Sequence, residues 1–400
     1  MNIVLFAHPF FLFFQSMPRF ARMLEEGYME RGHQVQVWSP QPLAYRLVPK
    51  GRFSKWAGYV DQYILFPFWV RKQLKKQPAD TLYVFCDQAL GPWVPLVKNK
   101  PHIVHVHDLL ALRSALGDVP ENPTAWSGRI YQLYIRQGFK QAQHFISISN
   151  KTREDLHFFG QASALSSHVV YNGFNYPYAP MAKADAISVL NDANLPAQSE
   201  GMLLQVGSST WYKNLAGVIR IYIEYVKAEK NPLPLWCISR NPSLEVQALL
   251  KEVPKNGKVL FFQGIDNHAL QAAYSLARAF VFPSLAEGFG WPIIEAQACG
   301  CPVLTSDAAP MNEIGGDACY YIPVLKRTDD AQLWAKNASS TLIALLSINE
   351  AERAKLVARG LKHVQQFNAE YAIKKYLECY QIALNASTFN HQVFKTPVKY

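Results

Sequence analysis

Residues 287–303 read Glu287-Gly-Phe-Gly-Trp-Pro-Ile-Ile-Glu295-Ala-Gln-Ala-Cys-Gly-Cys-Pro-Val303, and this order decides the fold. Two carboxylates, Glu287 and Glu295, stand eight positions apart across a glycine-containing turn and the start of an apolar helix. Upstream, Arg278-Ala-Phe-Val-Phe-Pro-Ser284 is a short apolar strand, and downstream Pro302-Val-Leu-Thr305 is another. Strand, loop, helix and strand in that order build a parallel α/β sheet. In such a sheet ligands sit at the carboxyl ends of the strands, where Gly288 and Gly290 let backbone approach them and the helix N-terminus favours phosphate. The plainer alternative makes both glutamates solvated partners of the helix dipole.

The same rhythm runs through the rest of the chain. Asn2-Ile-Val-Leu-Phe6, an amphipathic stretch from Pro18 to Arg31, a break at Gly32-His33 and Gln34-Val-Gln-Val-Trp38 form a βαβ opening. Further strands are expected at 82–85, 103–106, 144–148 and 168–171. From Pro177 to Gly201 the composition turns polar and proline-containing, which reads as a linker. A second series follows at 202–206, 235–238, 258–262, 279–282, 303–305 and 320–322, and a helix is expected over about 370–384. Strands alternating with helices mean parallel, doubly wound sheets. Four hundred residues suit two domains, with no internal repeat or low-complexity tract.

Composition excludes several classes. Half the residues are apolar and 18% are charged, so a disordered majority is ruled out. The net charge of +10 comes without a Lys/Arg block, zinc-ligand spacing or nucleic-acid motif, so no nucleic-acid partner is expected. A nucleotide diphosphate or an anionic membrane surface also suits positive charge. Six scattered cysteines read as reduced thiols, and Cys299 with Cys301 as small apolar residues behind Glu295. The apolar start, Met1 to Phe14, lacks a signal peptide's charged region and cleavage site, and no window of about twenty apolar residues exists. A cytoplasmic chain is therefore expected, with Asn150, Asn337 and Asn385 as chance sequons.

The string Glu-x7-Glu, flanked by Gly-Phe-Gly and closed by Ala296-x3-Gly300-x-Pro302-Val303, resembles the signature of glycosyltransferase family 4. Those are retaining, nucleotide-sugar-dependent enzymes, and the resemblance implies a GT-B fold with two Rossmann-like α/β domains facing an interdomain cleft. It places an acceptor-binding domain at 1–180, a nucleotide-sugar-binding domain at 201–375 and a helix or tail at 376–400 crossing back to the first. By the same resemblance Glu295 holds the ribose hydroxyls, while Glu287, with Gly288 and the backbone of Phe289 and Gly290, meets the donor sugar. The loop Val206-Gly207-Ser208-Ser209-Thr210-Trp211-Tyr212-Lys213-Asn214 resembles the family's Gly-x5-Lys-Asn/Gly element. Gly207 and Ser208 would then contact the donor and Lys213 neutralise the departing diphosphate. Relatives often carry an arginine where this chain has Ser208 or Tyr212, a loss that bears on turnover more than on binding.

In Val104-His-Val-His107-Asp108, the histidines share one strand face and could suggest a metal pair; the resemblance instead assigns His107 to the donor sugar and leaves His105 structural. The catalytic set is then Glu287, His107 and Lys213. Ser149 or Asn150 caps a helix, Arg153 is directed to the cleft, and Tyr171-Asn172-Gly173 is an architectural turn. The loop from His8 to Ser16 lacks the glycines relatives place there, so its phenylalanines read either as an acceptor pocket for a hydrophobic group or as a buried turn. Tyr63–Val70 and the four cations within 71–76 read either as a peripheral membrane contact at the inner face or as a core segment with a solvated helix end.

The expected activity is transfer of a sugar from a UDP- or GDP-sugar to a glycan or lipid-linked acceptor in cell-surface polysaccharide synthesis. No Asp-x-Asp motif stands out, so neither a cofactor nor an obligatory metal is expected. A nucleotide-sugar-binding scaffold and a nucleotide-sugar epimerase are the competing readings.

Overall fold

The computed structural model describes residues 1–11, 16–48, 51, 53–196, 200–208 and 210–393, with backbone alone for 16 and 387–393. The chain divides into two compact units: Met1–Asn175 with the chain from Phe367 onward, and Tyr176–Gln366.

In the first unit, β1 (Asn2–Phe6), β2 (Gln34–Trp38), β3 (Leu82–Phe85), β4 (His102–Val106), β5 (His144–Ser147) and β6 (Ser166–Val169) form a parallel sheet in the order β2-β1-β3-β4-β5-β6. Its inner strands β1 and β3 are apolar on both faces because helices cover both, whereas the edge strand β2 exposes Gln34 and Gln36. Val4 and Phe6 enter one core, and Ile3 and Leu5 the other. Beside Ile3 and Leu5 lies the helix Ala369–Val393, whose Ile373, Tyr376, Tyr380 and Ala383 recur at helical spacing and are buried in that core. Tyr28 donates to the Tyr380 hydroxyl at 2.8 Å, and that hydroxyl meets His105 Nε2 at 2.7 Å. Burial drives the His105 pKa far down, so its imidazole is neutral and structural.

In the second unit, β7 (Met202–Val206), β8 (Leu235–Ile238), β9 (Val259–Phe262), β10 (Ala277–Phe282), β11 (Val303–Ser306) and β12 (Cys319–Ile322) form a parallel sheet in the order β12-β11-β10-β7-β8-β9. Strand order reverses between β7 and β10 here, and between β1 and β3 in the first sheet. Loops leaving the two strands at a reversal diverge to opposite faces and leave a crevice for ligand.

Two sequence readings need correction. The stretch 177–201 is not a linker: it holds the helix Lys183–Asp192, with Ala186 and Leu190 fully buried in the second unit's core. Its polar face outweighs that narrow apolar stripe, which hid the helix. The return to the first unit falls at Phe367, ahead of the residue 376 expected. Segment 63–70 is buried in part and exposed in part. A π-helical turn at Asp61–Leu65 joins the helices Ser54–Val60 and Phe66–Leu74, so that Phe66 and Val70 are buried while Ile64, Phe68 and Trp69 stay exposed.

Candidate active site

The second unit's reversal is occupied by an ion pair. β7 runs into the loop carrying Gly207 and Lys213; β10 runs into the loop carrying Ser284 and Glu287. Lys213 Nζ lies 2.8 Å from Glu287 Oε1, with the side chains only 13% and 8% exposed. The lysine is built into place: it ends the 3-10 turn Trp211–Lys213, its ammonium sits 4.8 Å from the centre of the Phe282 ring, and Asn214 follows in the left-handed conformation at φ 52°. Asn214 Oδ1 accepts from Gly217 N at 3.1 Å, capping the helix Leu215–Ala228, and its Nδ2 donates to the Pro283 carbonyl at 2.9 Å. One residue thus caps a helix and ties the two loops together. A Cβ at Gly207 would lie 3.3 Å from Lys213 Cδ, so glycine there gives the lysine stem its room.

Ser284 Oγ lies 2.6 Å from Glu287 Oε1 and 2.8 Å from the Tyr212 carbonyl. A hydroxyl has one proton, and the charged, nearer acceptor takes it. The Tyr212 carbonyl is served by Leu285 N at 2.7 Å. Glu287 Oε1 is therefore held by an ammonium and a hydroxyl. Lys213 has three N–H groups, so pairing with Glu287 leaves donors for an anionic ligand.

Glu295 lies one layer deeper, on the helix Trp291–Ala298 that Gly290 opens at φ 111°, a backbone that strains any side chain. The turn buries Phe289 against Trp291, ring centres 5.5 Å apart. Tyr274 donates to Glu295 Oε2 at 3.1 Å. Burial pushes the Glu295 carboxyl up to about 7, against the Tyr274 hydrogen bond and the nearby Lys213 charge, which both favour ionisation. Cys299 and Cys301 pack in the core behind it, their thiols raised by burial.

Ser208 is exposed beside Thr210, its Oγ 3.1 Å from Thr210 Oγ1. Ser209, within the Gly-x5-Lys element, and 12–15 in the first loop lie outside the described residues, so the apolar-pocket reading of that loop rests on Phe10 and Phe11 alone. Among the described residues, Lys213 is the cation set against Glu287.

His107 belongs to the first unit, at the carboxyl end of β4. Its Nε2 lies 2.9 Å from the Cys86 carbonyl, which can only accept, so the proton sits on Nε2. Burial lowers its pKa despite the Asp87 charge. Of the two candidate caps it is Ser149 that accepts from Thr152 N, at 3.0 Å. Arg153 reaches Asn150 Oδ1 at 3.3 Å, and Tyr376 donates to Asn172 Oδ1 at 3.0 Å, an architectural contact. Sequence reasoning passed over Tyr274 and Ser284: nothing local marks Tyr274, whereas Ser284 does stand at the end of a strand that faces ligand.

Two family profiles match the chain: that described as "Glycosyl transferase 4-like domain" over 17–173 and that described as "Glycosyl transferases group 1" over 190–319. It is 24% identical over 242 residues to the O-antigen chain mannosyltransferase RfbU of Salmonella typhimurium, an alignment covering 60% of each chain. It is 28% identical over 226 residues to the O-antigen chain mannosyltransferase B of Escherichia coli, covering 52% of this chain and 56% of that one. The chain thus spans only 60% and 56% of the lengths of these relatives. The sucrose-phosphate synthase of Thermosynechococcus elongatus superimposes with a TM-score of 0.71 at 20% identity, covering 96% of this chain and 100% of that one, a likeness of fold.

Proposed function

Matched by both profiles over more than half its length, the chain belongs to the GT4-type glycosyltransferases, and from that premise we propose that it transfers a sugar from a nucleotide diphosphate sugar to a glycan or lipid-linked acceptor in cell-surface polysaccharide synthesis. The observation that carries this reading is the Lys213–Glu287 pair at the strand reversal, with Glu295 buried behind it. Lys213 stabilises the charge that develops on the diphosphate, the backbone of Phe289 and Gly290 with Glu287 orients the sugar, and Glu295 accepts the ribose hydroxyls. Transfer proceeds with retention. The bond from the anomeric carbon to the phosphate oxygen breaks, the acceptor oxygen bonds to that carbon from the same face, and the acceptor proton passes to the departing phosphate. The charge is carried by Lys213 without an obligatory divalent ion. Both O-antigen relatives are named mannosyltransferases, which makes a mannosyl donor the first to try.

Calorimetric titration with UDP, GDP and ADP in EDTA tests this. Micromolar binding of one nucleotide, lost in Glu295→Ala, is expected; binding of none overturns the reading. Conversion of a nucleotide sugar without acceptor points to an epimerase, and binding without transfer to a scaffold, which the serine at 208 would favour.

A peripheral membrane contact is the second element of the proposal. Trp56, Phe68 and Trp69 are 66%, 65% and 42% exposed. The stretch 54–76 adds Lys55, Arg71, Lys72, Lys75 and Lys76, and its one acid, Asp61, is buried and accepts from the Ala44 and Tyr45 amides at 2.7 and 2.9 Å. Aromatic bodies at headgroup depth, with each cation worth about 1 kcal/mol near an anionic surface, suit attachment without insertion. No helix among the described residues is long and apolar enough to cross a membrane. Sedimentation with phosphatidylglycerol vesicles is expected to carry the protein down at low salt and to fail with Trp56→Ser/Phe68→Ser. Equal sedimentation of both proteins would remove this surface from the proposal.

A further inference from the structure

Charge at the second unit's reversal is too small for the ligand proposed there. Lys213 lies 2.8 Å from Glu287, so one carboxylate already offsets its ammonium. The Glu295 carboxyl behind them, pushed up to about 7 by burial, adds part of another negative charge near neutral pH. A nucleotide diphosphate sugar brings an anionic oxygen on each phosphate, and breaking the bond to the sugar adds one more. Lys213 has N–H donors to spare for it but no net charge. In so sheltered a place uncompensated anions repel strongly, and the ligand needs a second cation.

Strand order says which side chain can supply it. Among the described residues, the cations on loops leaving the carboxyl ends of this sheet's strands are Lys213 after β7, Arg240 after β8, and Lys326 with Arg327 after β12. β12 stands three places from β7, about 14 Å at ~4.8 Å per strand, whereas β8 is its direct neighbour. The ladder between β7 and β8, in register at Val206 and Ile238, runs one residue further, with Gly207 N donating to the Ile238 carbonyl at 3.1 Å. Counted on, that register sets Ser208 beside Arg240. The Arg240 side chain is exposed and makes no hydrogen bond, ion pair or ring contact with any described residue.

A second observation marks the same corner. Gln205 is fully buried with neither amide atom hydrogen-bonded, and its Nε2, like Lys213 Cδ, comes within 3.3 Å of the point a Gly207 Cβ would occupy. Ser239, beside Arg240 in sequence and 6% exposed, has an unpaired hydroxyl too. Buried polar groups left unpaired by the protein point to a partner from outside it.

We propose that Arg240 is the second cation for the donor's diphosphate and shares its charge with Lys213. The proposal rests on the transferase reading for the identity of the ligand. A guanidinium presents paired N–H groups to two phosphate oxygens, a geometry that the point charge of Lys213 does not offer.

Calorimetry of the full chain in EDTA tests it, with UDP, GDP and ADP as probes and saturation-transfer NMR of the matching nucleosides beside them. Arg240→Gln alters an exposed side chain, so folding is not at stake. The nucleoside diphosphate that the wild type binds is expected to bind this variant about tenfold or more weaker, while its nucleoside binds both proteins alike. Adding Ser208→Arg to Arg240→Gln is expected to return most of the loss, because the register sets the two positions side by side. Unchanged diphosphate affinity in Arg240→Gln overturns the proposal and leaves the transferase reading standing. Equal weakening of nucleoside and diphosphate would put the arginine at the base and overturn it as well. Diphosphate binding by the wild type only when magnesium replaces EDTA would assign the charge to an ion, with the same consequence. Binding of no diphosphate by the wild type would remove the transferase reading and this proposal together.

Discussion

Lys213→Met is expected to lower the turnover of sugar transfer about 10²–10³-fold, the range seen when one preorganised donor to developing charge is deleted. The same substitution has a second effect. Glu287 is 8% exposed and its Oε1 takes Lys213 and Ser284, so removing the ammonium leaves a buried carboxylate with its charge uncompensated. Breaking one side of a buried ion pair costs about 3–5 kcal/mol, enough to threaten a marginally stable fold. Lost activity in the single variant is therefore ambiguous. The double variant Lys213→Met/Glu287→Gln separates the effects, because a neutral amide can still accept from Ser284 and needs no counter-charge. Its urea midpoint is expected to recover most of the loss, while single-turnover transfer stays as low as in Lys213→Met or lower. Recovery of transfer along with stability would mean that the pair merely holds the two loops together, and Lys213 would lose its place at the diphosphate.

How much of this was legible in the sequence follows from how each feature is encoded. Parallel strands buried on both faces are near-continuous apolar runs, so β7 and β10 stand out in the sequence despite Gln205 and Arg278, although β10 starts at Ala277, directly after the helix Asn267–Leu276, rather than at Ala279. The helix Lys183–Asp192 escapes because two fully buried residues anchor an otherwise polar surface element. Gln88–Leu96 carries prolines at 92 and 95 that hide its 3-10 turns. In the site, Glu287 and Glu295 are readable because one turn and one helix hold both within nine residues. Lys213 is readable because its loop follows a strand. Tyr274 and Asp87 are not readable, since each gains its meaning from a distant partner, Glu295 on the next helix across 21 positions and His8 beyond the neighbouring strand across 79. Local pattern encodes elements and motifs; pairs formed at strand reversals need the strand order.

Nucleotide affinity is expected to rise with pH through about 7, the value to which burial pushes the Glu295 carboxyl. A ribose diol donates two O–H groups, and only an ionised carboxylate accepts both without holding a proton of its own. A group titrating there is about nine-tenths ionised at pH 8 and one-tenth at pH 6, which makes binding about tenfold weaker at the lower pH. The terminal phosphate of a nucleoside diphosphate titrates nearby, so the comparison that decides is with Glu295→Gln, where the Glu295 contribution disappears and affinity is lower throughout. Tyr274→Phe supplies the sign. Its hydroxyl favours the ionised carboxylate, so its removal raises the Glu295 pKa and moves the rise in affinity to higher pH. Stability runs the opposite way. A folded-state pKa raised above the unfolded value near 4.5 stabilises the fold fully below that value, and the contribution is lost as pH rises to about 7. Affinity should therefore climb over the interval in which this carboxyl's share of stability declines. Calorimetry and urea titration of wild type, Glu295→Gln and Tyr274→Phe between pH 5.5 and 8.5 would reveal both slopes, and parallel affinity curves for all three proteins would take Glu295 out of the nucleotide site.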